Sequence, residues 1–170
     1  MAVDLTLKST AITNRKATPP VLNDPGQGDG ATEKCVFGYL ASVTASLSIT
    51  SVIRLIQIPS NAIVTDLRLS SGAQTAGAFD IGVYRTNADG GAVVDADLFG
   101  SAVSCASAVL NVDVLGESTV NTIAKQNQQL WEAAGMSADP RTDLDIALTV
   151  ATTDVTTGTG AIALRARYVQ

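Results

Sequence analysis

Residues 43–70, VTASLSITSVIRLIQIPSNAIVTDLRLS, alternate in character one by one and then break at a proline. Ile53, Leu55 and Gln57 interleave with Arg54, Ile56 and Ile58. After the break, Ile63, Thr65, Leu67 and Leu69 interleave with Val64, Asp66 and Arg68. A period of two with β-branched enrichment marks strands half-buried in a sheet. Pro59 has no N–H to give to a ladder, so the chain leaves its sheet there. The stretch predicts two strands hinged at Pro59-Ser60-Asn61 in a hairpin-like unit.

The rest of the chain repeats this style. Val36, Phe37 and Tyr39 suit a strand at the start of the body. Residues 78–86 predict another, with Phe79, Ile81 and Val83 inward and Asp80, Gly82 and Tyr84 on the other side. Asn87–Gly91 is a turn, because Asp-Gly tolerates positive φ. Residues 92–99 read as a strand entering a loop, and 103–114 as a loop with one irregular strand. Residues 144–152 and 161–169 predict the last two strands, which would pair with each other. Their inward residues are Leu144, Ile146, Leu148 and Val150, then Ile162, Leu164, Ala166 and Tyr168. One helix is predicted over 121–135, with Ile123, Leu130, Trp131 and Ala134 as its apolar stripe and Gly135 at its C′ position. About eight short strands joined mostly by short loops define an all-β fold. The predicted architecture is a β-sandwich, jelly-roll-like, with an immunoglobulin-like sandwich as the alternative.

The first 34 residues stand apart. Val3, Leu5 and Leu7 alternate with polar residues in one short predicted strand. Pro19-Pro20 then enforces extended geometry, and Asp24-Pro25-Gly26 opens a glycine-rich run. This gives an extended N-terminal arm over 1–34 and a β-sandwich domain over 35–170, the arm ordering against a partner. With 46% apolar but only 4% aromatic residues, the body's core must be built from Val, Ile, Leu and Ala. The arm's Lys8, Arg15, Lys16 and Lys34 balance Asp4, Asp24, Asp29 and Glu33, so the net charge of −5 lies in the body. An acidic body repels phosphate and argues against a nucleic-acid partner. No stretch is long and apolar enough to span a membrane, which argues against a membrane partner. The opening MAVDLTLKST lacks the apolar core of a secretory signal, which points to synthesis in a cytoplasm.

Little in the sequence speaks for catalysis. The chain has no histidine, which removes Ser-His-Asp and Cys-His machinery and imidazole metal ligands. Cys35 and Cys105 read as small buried hydrophobes rather than nucleophiles. The glycines at 26, 28 and 30 lack the Gly-Lys-Ser/Thr ending of a phosphate loop. Two acidic groups, Asp89/Asp95/Asp97 and Asp139/Asp143/Asp145, lack calcium-loop spacing and read as turn chemistry. The expectation is a protein that is not an enzyme and takes no cofactor and no metal. Arg165 and Arg167, outward on the last strand among alanines, are the body's candidates for an interface. A carbohydrate-binding module would instead rely on Tyr39 or Tyr84.

Several segments resemble a family of tailed-bacteriophage virion proteins, the capsid decoration or cement proteins. The resemblance runs through LKSTAITNRKATPPVLN, RLIQIPSNAIVTDLRLSS, FDIGVYRTNADGGAVVDADLFGSAV, LWEAAGMSADPRTDLDIALTVAT and ALRARYV. Its most distinctive pieces are the IPSNA turn, the DIGVY strand with its following loop, and the terminal RARYV strand; none is a catalytic signature. The resemblance implies a structural protein on the capsid exterior, made in the host bacterial cytoplasm. Its partners would be the major capsid protein and itself, as a dimer or trimer. The contact residues expected are Arg15, Lys16, Pro19, Pro20, Val21 and Leu22 in the arm, then Arg165 and Arg167. The alternative is another virion component: a head fibre base, a tail or collar protein, or a receptor-binding module.

Overall fold

In the computed structural model, residues 18–19, 32–43, 46–74, 77–155 and 160–170 are described. The predicted strand at Val3–Leu7 lies outside them. Eight strands follow one another: β1 (Glu33–Leu40), β2 (Val52–Pro59), β3 (Ile63–Ser71), β4 (Ala78–Arg85), β5 (Val93–Ser104), β6 (Val109–Asp113), β7 (Asp143–Val150) and β8 (Ile162–Val169). They form two four-stranded sheets, one in the order β1-β8-β3-β6 and the other β2-β7-β4-β5. All the pairings are antiparallel. The chain changes sheet at nearly every connection, giving the two interleaved four-stranded sheets of an eight-stranded jelly roll. The predicted all-β sandwich is present, and of the two architectures weighed it is the jelly roll.

The core lies between the sheets. From β7 come Leu144, Ile146, Leu148 and Val150; from β4, Phe79, Ile81 and Val83; from β3 and β8, Leu67, Leu69, Ile162, Leu164 and Ala166. These are the alternate positions marked by the period of two, and Phe79 and Phe99 are the largest side chains that are fully buried among the described residues. At Gly38 the two sheets come close enough that an added Cβ would lie 2.1 Å from the Leu55 carbonyl oxygen. Glycine is required there by contact, not by backbone angle.

Residues 43–70 do not form a hairpin. β2 and β3 belong to different sheets, so Pro59–Ala62 is a corner at which the chain crosses the sandwich. Proline at the end of β2 ends the ladder as expected, and Ala62 N donates back to Pro59 O at 3.0 Å. Nor do β7 and β8 pair: β7 lies between β2 and β4, and β8 between β1 and β3. Alternation identifies a strand and its faces but not its neighbour, which is why both expectations failed. One face assignment also changes. The β3–β8 register skips Thr65, a bulge that leaves Thr65 exposed and puts Val64 in the core.

The predicted helix over 121–135 shortens to one turn, α1 (Leu130–Ala133). Leu130 is buried, but Ile123 is 89% exposed. Gln126 and Asn127 occupy the positions that would have joined them into one stripe. The turn survives because it docks on the corner: Leu130 N donates to Ala62 O and Trp131 N to Ser60 O. Gly135, at φ 73°, closes it as the sequence predicted.

Candidate interaction surface

The two sheets differ in what their outer faces offer. In the β2-β7-β4-β5 sheet the centre is covered. Every residue of β7 from Leu144 to Val150 is buried, on both faces. The backbone of Asp95 and Ala96 lies against Gly82, where an added Cβ would be 2.2 Å from Asp95 O. Arg54 covers the Tyr84 ring at 5.4 Å, and the Tyr84 hydroxyl bonds Thr149. Arg54 also donates to Asp145 Oδ2 at 2.6 Å and to the carbonyls of Arg85 and Gly91, both at 2.7 Å. This face is tied to itself. Tyr84 is buried and is not the exposed platform a glycan would need.

Among the described residues nothing covers the outer face of the β1-β8-β3-β6 sheet. Its rows follow from the register. Tyr39 lies opposite Ala163, which lies opposite Ser70. Phe37 lies opposite Arg165, then Arg68, then Asp113. Cys35 lies opposite Arg167, then Asp66. Phe37 and Tyr39 stack with centroids 6.5 Å apart and are 62% and 61% exposed. Beside Tyr39, a shallow hollow of about 410 Å³ is lined by Ser70, Val109, Leu110, Ala161 and Ala163. Leu110 is 84% exposed at its rim.

Three arginines share this face. Arg68 pairs with Asp66 at 2.6 Å and Asp113 at 3.2 Å, which raises its pKa, the Asp66 hydrogen bond being the largest cause. Arg167 reaches Glu33 at 3.6 Å. Arg165 donates from Nη2 to the neutral Asn111 Oδ1 at 2.8 Å, while its Nε is buried without an acceptor among the described residues. Arg165 and Arg167 thus lie on the outward face as the sequence placed them. Of the arm residues, Pro19 is described and exposed. Arg15, Lys16, Pro20, Val21 and Leu22 lie outside the described residues. Tyr39 is exposed, as the glycan-binding alternative required, but Phe37 and the hollow were missed as a site. The signal was the pair of aromatics two apart in a chain with so few, which alternation places on one face.

Several of the acidic residues have partners within the fold. Asp89 pairs with Arg85 at 2.7 Å, and Asp145 with Arg54. Asp139 accepts from Ser60 Oγ at 2.5 Å and from Arg141 N at 2.8 Å, bonds that lower its pKa. Two polar clefts of about 570 and 480 Å³ share Asp139 and Thr142 near the corner. Among the described residues no group of three His, Cys, Asp or Glu is placed to hold a metal ion. No helix there is long and apolar enough to cross a membrane. Both cysteines are free: Cys105 is buried, and burial raises its pKa, but Cys35 is exposed on β1. That corrects the expectation of two buried thiols; β1's outward residues face solvent because nothing among the described residues covers this sheet.

Fold and surface together define a jelly-roll body with one outer face closed on itself and the other uncovered among the described residues. No family model matches the chain, and no curated protein matches it significantly. Solved structures do. One is a chain of the cyanophage Pam1 capsid asymmetric unit, at TM-score 0.54 and 16% identity, covering 91% of this chain and 96% of that one. Another is a chain from the capsid of Ralstonia phage GP4, at TM-score 0.59 and 17% identity, covering 85% and 94%. The likeness is one of fold, and it spans nearly the whole of each chain.

Proposed function

We propose that this protein is a non-enzymatic structural component of a phage virion. In this reading it binds the outer surface of the capsid and stabilises contacts between major capsid protein subunits, as a decoration or cement protein. The observation that carries the reading is the likeness of nearly the entire chain to chains from two phage capsids. The face of the β1-β8-β3-β6 sheet left uncovered among the described residues supports it, because exposed aromatics and arginines are the residues enriched at interfaces. The mechanism is added buried area. Each copy spans two or more shell subunits, and separating those subunits then requires breaking its contacts as well. Many copies on one lattice, self-associated as dimers or trimers, gain avidity from contacts that are individually weak. The arm, with Arg15, Lys16, Pro19, Pro20, Val21 and Leu22, reaches across neighbours, and Arg165 and Arg167 contribute from the body. A net charge of −5 suits a protein outside the shell, away from packaged DNA.

The test is to add purified protein to shells that lack it and image the particles. The expected result is on the order of hundreds of copies on the exterior, as lattice-wide avidity requires. Density confined to one vertex, at roughly a dozen copies or fewer, would transfer the protein to the tail, collar or fibre apparatus. Removing residues 1–30 should weaken decoration; full affinity without them would remove the arm from the mechanism.

A further inference from the structure

We propose that the hollow beside Tyr39 and the guanidinium of Arg165 together take an extended segment of a partner protein. The segment presents a large aliphatic side chain and, two residues along, a carboxylate. The inference deepens the shell-binding reading and rests on it only for which chain carries the segment.

The charge argument comes first. Arg68 and Arg167 have carboxylate partners within the molecule, at 2.6 Å and 3.6 Å. Arg165, between them on the same face, has none among the described residues; Asn111 gives it a neutral acceptor. Arg68 stands directly opposite Arg165 in the register. Like charges in that position repel, so Arg165 gains most from an external carboxylate. The body is otherwise acidic, so a generally negative partner is repelled. One carboxylate among uncharged residues fits this face best.

The apolar argument is separate. Ala161 and Ala163 are small and leave room between Tyr39 and Leu110, and both of these large side chains are exposed. A leucine-sized group entering the hollow would cover them. Spacing joins the two halves. Ala163 and Arg165 are two residues apart on one face of β8, which in a strand is about 7 Å. Residues two apart in an extended partner have the same separation and the same facing. The recognised pattern is therefore aliphatic-x-Asp/Glu or its reverse, according to strand direction. A second copy docking with a two-fold axis through Arg165 would set that charge against its own counterpart. One docking elsewhere would have to bring up an acidic residue beside a large aliphatic one, so a partner segment of the stated pattern is the simpler occupant.

The test titrates the isotope-labelled full chain with the peptide acetyl-Thr-Leu-Ser-Asp-Thr-amide and follows amide resonances. Shifts should be confined to residues around Tyr39, Val109–Asn111 and Ala161–Arg165. Replacing the peptide's aspartate by asparagine, or its leucine by alanine, should weaken binding about tenfold, the loss expected for one charge-assisted bond or one buried side chain. Arg165→Gln and the hollow-filling Ala163→Leu should each weaken binding by about tenfold or more while changing the melting temperature little. The proposal fails if no localised shifts appear at millimolar peptide, if the asparagine peptide binds equally well, or if the two variants bind as tightly as the parent chain. Concentration-dependent broadening of the same resonances without peptide would identify a second copy as the occupant and overturn it. Shell binding separates the two ideas. If the parent chain and both variants bind shells equally, this inference falls and the shell role stands. If the peptide binds and the shells do not, the reverse holds.

Discussion

Arg54 shows how much of a covered sheet face can depend on one side chain. It donates to one carboxylate and two carbonyls and covers an aromatic ring. Its partner Asp145 has a side chain only 4% exposed. Arg54→Met keeps the aliphatic stem but leaves that carboxylate unpaired. Loss of a fully buried partner costs 3–5 kcal/mol, and Arg54's partial exposure reduces that to about 2–3 kcal/mol. Urea unfolding should show the loss, and adding Asp145→Leu should recover part of it; a further loss in the double variant would refute the account. Asp95 makes a different prediction. Burial raises its carboxyl pKa above the ordinary range, and the side chain of Asp97 adds to the effect. The folded chain then holds this proton more tightly than the unfolded chain. Stability falls as pH rises from the unfolded value of about 3.9 through the folded one, and the penalty is complete at neutral pH. Asp95→Asn keeps the Oδ1 that accepts from Asp97 N. It should raise the melting temperature at pH 7 and leave it unchanged at pH 3, below both values. The Arg54–Asp145 pair was not legible in the sequence, because it joins residues 91 positions apart. Asp95 and Asp97 were grouped from the sequence, and only the burial that raises the Asp95 pKa was hidden.

Among the elements, the corner after β2 and the turn α1 explain each other. Ser60 donates from its backbone N to Thr142 O and from its hydroxyl to Asp139, while its carbonyl and that of Ala62 accept the first N–H groups of α1. Those N–H groups would otherwise lack partners. Gln129 and Glu132 complete the start of the turn as a capping box. So short a helix persists only by docking. The sequence marked the proline break and the closing Gly135 correctly, because both are local backbone requirements. It overestimated the helix because Ile123 was counted into a stripe that Gln126 and Asn127 interrupt. Leu130→Ala should cost about 2–4 kcal/mol, as for a large buried side chain truncated in a packed core. Ile123→Ser should change stability by less than about 0.5 kcal/mol, as for an exposed site without special contacts. Thermal melts of the two variants decide it, and comparable losses would restore Ile123 to the packed stripe.

For the whole molecule, the strands were legible and their partners were not. The inward residues of β4, β7 and β8 follow from alternation alone, yet β7 and β8 lie in opposite sheets and β1 pairs with β8 across nearly the entire chain, Glu33 against Val169. Pairing is decided by which faces can be buried together once both sheets exist, and a period of two carries no record of that choice. The strand order makes an asymmetric prediction about the two ends. β8 lies between β1 and β3 and supplies Ile162, Leu164 and Ala166 to the core. Deleting residues 162–170 removes the central ladder of one sheet and part of the inner layer, and β1 and β3 cannot close on each other without moving every row of the face. That truncation should show no cooperative melt. Deleting residues 1–30 stops short of β1 at Glu33 and should leave the melting temperature within about 2 °C, no more than the roughly 2–4 °C shift that 1 kcal/mol produces in a chain of this size. Calorimetry on both truncations tests the division into arm and body together with the topology. A large loss from the N-terminal deletion would make the arm part of the body's packing. A cooperative melt after the C-terminal deletion would show that β8 is not the strand on which the sheet depends. Because β8 pairs with β1, more than a hundred residues earlier, its ladder is non-local, and refolding should fall in the millisecond-to-second range of such β topologies.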